Sequence, residues 1–224
     1  MTSQQQVSPE SAHGAGVIGA VFIAFEGGDG AGKSTQVRLL VERLQQLGRE
    51  PLVTRQPGGT ELGRALRNLV LHGDAMHARA EALIFAADKA QHVEELIRPA
   101  LAAGRDVITD RYTDSSVAYQ GAGRDLGAQE VHDLQMWAVS GLTPDLTVIV
   151  DITAQEGRRR RGDIHDRMES ETDGFHEAVR EHFHALAAAA PQRYLVIDGT
   201  LPPEQLGEQV WQRVRALLTD RGAA

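Results

Sequence analysis

Residues 27–35 read Gly-Gly-Asp-Gly-Ala-Gly-Lys-Ser-Thr and follow directly on the apolar run Val21-Phe22-Ile23-Ala24-Phe25. This is the spacing G-x-x-x-x-G-K-[ST] at the end of a strand, and it constrains the fold more than any other stretch. Glycines at these positions let the backbone curl into a cup whose N–H groups point at phosphate oxygens. Lys33 can reach the outer phosphates, and the Ser34 hydroxyl is placed to help hold Mg²⁺. Residues 34–47 read as a helix, so its positive end faces the same anion. Gly27, Gly28, Asp29, Gly30, Ala31, Gly32, Lys33, Ser34 and Thr35 are therefore the expected triphosphate cradle.

Short apolar runs alternate with longer amphipathic stretches, which is the pattern of a parallel sheet covered by helices. Expected strands are residues 21–25, 51–54, 106–109, 146–150 and 194–197, none with clean polar alternation. Expected helices cover 63–71, 79–102, 128–139, 175–188 and 203–218. In such sheets ligands sit beyond the carboxyl ends of the strands. The segments 26–35, 55–60, 110–123 and 151–169 should then carry the chemistry.

The 224 residues suffice for one α/β domain, read as 20–224, with 1–19 a flexible extension. That extension has no Lys or Arg and no signal-peptide pattern. No apolar run is long enough to span a membrane. The absence of cysteine excludes disulfides and thiolate chemistry and fits a reducing cytoplasm. A net charge of −8 argues against nucleic acid as a partner, so an anionic ligand needs locally focused cations.

Such cations stand where the topology wants them. Arg55 precedes the shaped turn Gln56-Pro57-Gly58-Gly59-Thr60, where its fork can grip a phosphate. Asp110-Arg111 ends the third strand: the acid can hold Mg²⁺ and the arginine a second phosphate. Ser115, Ser116, Tyr119 and Gln120 follow on a helical stretch and offer polar groups and one aromatic wall. Phe85 and Lys89 are four apart on one helix face, a ring beside a cation. Arg158, Arg159, Arg160 and Arg161 form a dense positive run, read as a mobile lid over about 157–170 that brings arginine to a transferring phosphate. Spacing alone does not choose among the four. The nine histidines form no metal-ligand spacing and read as mostly surface residues. Ser34 has no triad partners.

Four motifs in order, Phe-Glu-Gly-x-Asp-Gly-Ala-Gly-Lys-Ser-Thr, Thr-Arg-x-Pro-Gly-Gly-Thr, Asp-Arg-Tyr and Ala-Tyr-Gln-Gly, make residues 21–218 resemble bacterial thymidylate kinases. The resemblance implies a P-loop nucleoside-monophosphate-kinase fold with a five-stranded parallel sheet and a short lid. It implies a cytoplasmic homodimer that transfers the ATP γ-phosphate to dTMP with Mg²⁺. It places Asp29 at the sugar 3′-hydroxyl and beside the phosphate-binding arginine, Arg55 and Arg111 around the dTMP phosphate, and Asp110 with Mg²⁺. Phe85 matches the ring stacked on thymine, and Lys89 stands where an arginine usually reads thymine O4. Ser116 can meet the polar edge of thymine, Tyr119 crowds the 2′ position, and Ser115 and Gln120 complete the acceptor site. Gly30 marks the type whose extra arginine comes from the lid, so Arg160 and Arg161 join Lys33, Arg111 and Asp29 as catalytic candidates.

Two positions depart from the pattern. Gln56 replaces a glutamate, and Lys89 replaces the arginine, a point donor for a fork. Another deoxynucleotide or deoxynucleoside kinase on the same fold, and a non-catalytic nucleotide-binding module, stay open. A GTP switch does not fit, because Asn68 is the only asparagine and Asn-Lys-x-Asp is absent.

Overall fold

The structure is a computed structural model in which residues 19–161 and 166–222 are described, Arg161 by its backbone alone. The expected extension thus falls outside the described residues apart from Gly19, as do residues 162–165 of the expected lid. Strand β1 (Phe22–Glu26) leads through the phosphate loop into α1 (Lys33–Gln46). Then come β2 (Leu52–Arg55), α2 (Glu61–His72) and α3 (Ala78–His92). Helix α3 runs on through a π turn (Val93–Ile97) into α4 (Arg98–Ala102), so the expected long helix is interrupted by a widened turn. Strand β3 (Val107–Asp110) is followed by α5 (Thr113–Ser116), a second π turn (Val117–Gly123) and α6 (Ala128–Ala138). The chain ends with β4 (Leu146–Asp151), α7 (Ala154–Arg161), α8 (Asp173–Ala189), β5 (Tyr194–Asp198) and α9 (Pro203–Asp220).

The five strands are parallel in the order β2-β3-β1-β4-β5. Alternate residues of β1, with Val21 just before it, explain how both faces are covered. Val21, Ile23 and Phe25 pack with α1 and α9 through Leu40, Leu44, Val210 and Val214. Phe22 and Ala24 pack on the other face with Val93, Ile97 and Tyr112. Burial on both faces removes the polar alternation, as the sequence pattern anticipates.

Each strand ends one residue later than expected. The reason is the parallel ladder, which pairs backbone and tolerates a charged side chain at its last position: Arg55 lies opposite Asp110, and Asp151 opposite Asp198. Phe25 is also opposite Asp110. This register brings the phosphate loop, Arg55 and the Asp110-Arg111 pair to one end of the sheet.

Candidate active site

The phosphate loop departs from β1 at Gly27, which adopts φ +127°. A Cβ there would lie 2.3 Å from the Val150 carbonyl oxygen, so only glycine fits between the loop and β4. Gly32 caps α1 in the left-handed region, and the first helical residue is Lys33. The Lys33 ammonium donates to the carbonyls of Gly27 (3.1 Å) and Gly28 (2.9 Å). Burial and the Arg111 charge push its pKa down, against the pull of Asp110 and Asp29. Ser34 Oγ is 3.5 Å from Asp110 Oδ2. The other carboxylate oxygen of Asp110 is buried with no hydrogen-bond partner among the described residues. A hydroxyl and an under-used carboxylate thus meet beside the cradle.

Arg111 sits at φ 69°, a strained conformation that turns its side chain back across β1. Nη1 donates to Gly27 O (3.1 Å) and Ser115 Oγ (2.9 Å). Nη2 donates to Asp29 and to Tyr119 Oη (3.2 Å), and the guanidinium lies 5.0 Å from the Tyr119 ring centroid. Tyr119 in turn donates to Asp29 Oδ2 at 3.1 Å. Burial alone would raise the Asp29 pKa, but the charges of Arg111 and Lys33 outweigh it and hold the carboxylate ionised. Beneath this cluster, buried Glu26 accepts from Tyr112 N (2.8 Å), Ser115 N (3.2 Å) and Ser115 Oγ (2.5 Å). Its pKa is held well above the usual carboxylate range by burial and by Asp114.

A cavity opens beside Arg111. Phe85 and Tyr119 supply rings, Lys89, Ser116 and Gln120 polar tips, and Leu71 and Met168 an apolar side. Lys89 Nζ donates to Ser116 Oγ at 2.7 Å and stands 5.5 Å from the Phe85 centroid. Burial lowers the Lys89 pKa to about 8. Asp29, Gln56, Arg67 and Arg111 line both this cavity and the one formed by the phosphate loop, so the two communicate there.

The arginine run is sorted by its neighbours. Arg158 pairs with Asp173 (2.5 Å) and Arg159 with Glu156 (2.7 Å), both on the exposed surface. Arg160 also meets Glu156 (2.6 Å), donates to Gly199 O (3.0 Å) and lines the phosphate-loop cavity. The side chain of Arg161 lies outside the described residues.

A family model described as "Thymidylate kinase" matches residues 25–210. A thymidylate kinase of Clavibacter sepedonicus is 50% identical over 208 residues, covering 91% of this chain and 99% of that protein.

The chain belongs to the thymidylate kinase family.

A second member, from Cutibacterium acnes, is 50% identical over 203 residues, or 90% of this chain and 99% of that protein. A third, from a Synechococcus species, is 48% identical over 198 residues, or 88% and 96%. The chain is accordingly a phosphoryl-transferring enzyme that uses ATP as donor.

Within this thymidylate kinase chain the expected acceptor residues Asp29, Phe85, Lys89, Arg111, Ser115, Ser116, Tyr119 and Gln120 come together around one cavity. Arg55 does not join them. It is exposed and borders the phosphate-loop cavity. Arg67 takes the place beside the acceptor cavity, held by a 3.1 Å bond to Pro57 O. The sequence signal for it was the Thr60 cap, whose Oγ1 accepts from Gly63 N at 2.9 Å and starts a helix that swings Arg67 back over the turn. The histidine reading also needs correction at His92, which is fully buried. It bonds Thr54 Oγ1 (2.7 Å) and Gln56 Nε2 (2.6 Å), and burial lowers its pKa to about 4. Neutral His92 and neutral Gln56 are thus matched across the turn. Buried His176 is a second exception.

Proposed function

We propose that this chain transfers the γ-phosphoryl group of ATP to dTMP, giving dTDP and ADP. The carrying observation is the junction of the two cavities at Arg111, Arg67 and Asp29. One cavity is a phosphate cradle at a helix N-terminus, and the other offers a ring and a polar edge suited to a base. Two arginines at the junction suit an acceptor that already carries a phosphate, which favours a nucleotide over a nucleoside.

The residues present fit Mg²⁺, which uses few protein oxygens together with phosphates and water. Ser34 Oγ and the spare Asp110 oxygen would hold it, and when bound it would neutralise phosphate charge. Lys33, Arg111 and Arg160 supply further positive charge where the transferring group passes, and the cavities hold the two reactants in line. Phe85 stacks the base, Lys89 and Ser116 donate to thymine O4, Tyr119 borders the sugar, and Asp29 serves both the 3′-hydroxyl and Arg111.

A single kinase domain over residues 20–224, working as a homodimer in the cytoplasm, is part of this proposal. Leu62, Leu69, Leu83 and Trp137 are exposed apolar side chains on α2, α3 and α6, which pack side by side and offer a face to a second copy. No helix among the described residues is long and apolar enough to cross a membrane. The test is dTMP-dependent ADP release by the full chain with Mg²⁺, beside Lys33→Ala. Release that Lys33→Ala reduces by orders of magnitude supports the proposal; release independent of dTMP contradicts it.

A further inference from the structure

Glu81 is an acid on α3 with no exposed surface, and it collects three donor side chains from two separate parts of the chain. Gln120 Nε2 donates to its Oε1 at 2.9 Å. Arg124 donates through Nε at 3.2 Å and Nη2 at 3.3 Å. Arg167, from the described far end of the expected lid, approaches Oε2 at 2.6 Å. Burial would raise the Glu81 pKa, but the bonds from Gln120, Arg124 and Arg167 outweigh it, so the group stays ionised.

An ionised carboxylate only accepts hydrogen bonds. The Gln120 amide must therefore turn its NH₂ toward Glu81. That choice leaves Oε1 as the atom Gln120 offers to the cavity it lines. Across the same cavity Lys89 and Ser116 offer donors. The polar edge thus presents donors and an acceptor in a fixed arrangement. Thymine and uracil carry a carbonyl at position 4 and an N–H at position 3. Cytosine carries an amino group and a bare nitrogen there, the reverse pattern.

We propose that Glu81 is the positioning residue that sets pyrimidine specificity: by holding the Gln120 amide in one orientation, it makes the cavity accept thymine and refuse cytosine. This rests on the reading that the cavity takes dTMP. A neutral amide at position 81 can donate as well as accept, so it no longer dictates which way Gln120 turns. Discrimination built on hydrogen-bond direction is large because the wrong base leaves buried groups unpaired.

The test is steady-state kinetics of the full chain with dTMP and with dCMP, for the wild type, Glu81→Gln, Gln120→Leu and the double variant. Glu81→Gln should raise KM for dTMP and lower the dTMP-to-dCMP ratio of kcat/KM by about tenfold or more, a loss of about 1.4 kcal/mol of discrimination. In the Gln120→Leu background the same change should leave the ratio unmoved. A KM rise for dTMP with the ratio intact in Glu81→Gln would mean packing alone and overturns the proposal. Should Glu81→Gln not fold, Gln120→Leu, with the arginine pairs of Glu81 intact, must lower the dTMP-to-dCMP ratio by about tenfold or more; an unchanged ratio overturns the proposal too. A wild type inactive on dTMP would instead overturn the parent reading.

Discussion

Arg111 and Asp29 form a half-buried ion pair that ties the end of β3 to the phosphate loop. The guanidinium has four partners, so its position is fixed before any substrate contact. Pre-set charge of this kind stabilises a transferring phosphoryl group without reorganisation cost. Arg111→Lys keeps the charge and loses the fork. We expect kcat/KM for dTMP to fall by about 10²–10³-fold with the melting temperature little changed. Near-normal turnover in this variant would remove Arg111 from the mechanism.

Arg160 is set apart from Arg158 and Arg159 by the cavity it borders. Arg160→Ala should lower kcat by about 10²-fold or more while KM for dTMP stays within a factor of two or so. Arg158→Ala and Arg159→Ala remove exposed surface pairs and should change kcat by about twofold at most. Equal losses across the three would show that the run acts as bulk charge.

Arg67 and Arg55 make opposite predictions. Arg67 borders the acceptor cavity, so Arg67→Ala should raise KM for dTMP by about tenfold or more. Arg55 stands outside it, so Arg55→Ala should have the smaller effect on that KM. Titration of each variant with dTMP alone, without ATP, separates the two roles.

Lys89 makes acceptor binding pH-dependent. Burial lowers its pKa from 10.5 to about 8, so it is charged below that pH and loses its proton above it. A charged donor binds a carbonyl more tightly than a neutral amine does. KM for dTMP should therefore climb as pH rises through about 8. Lys89→Arg, which stays protonated, should give a flat profile to about pH 9.5. For stability the sign is opposite. The unfolded chain binds the extra proton between about 8 and 10.5, so this group adds stability as pH rises through that window. A wild-type KM that is flat across pH 8 would contradict the role given to Lys89.

The phosphate loop was legible because every constraint on it is local: strand, glycines, lysine and helix follow one another within fifteen or so residues. The strands were legible for the same reason, up to their last polar residue. What stayed hidden depends on distant partners. Arg67 looks like an ordinary helix arginine until α2 folds over Pro57. His92 looks like a surface histidine until Thr54 and Gln56 close around it from β2 and the turn after it. Glu81 reads as the solvated acid of a helix first turn, and only the packing of the second π turn and of Arg167 buries it. The π turn at 117–123 carries no sequence mark, yet it places both Tyr119 and Gln120 at the cavity.

The most direct measurement is kcat/KM for dTMP, dUMP, UMP, AMP and thymidine with ATP and Mg²⁺, with products separated so that each new diphosphate is seen. The account predicts dTDP formed in equal amount to ADP and dTMP as the preferred acceptor. A preference for thymidine, or ADP formed without any phosphorylated acceptor, would contradict it.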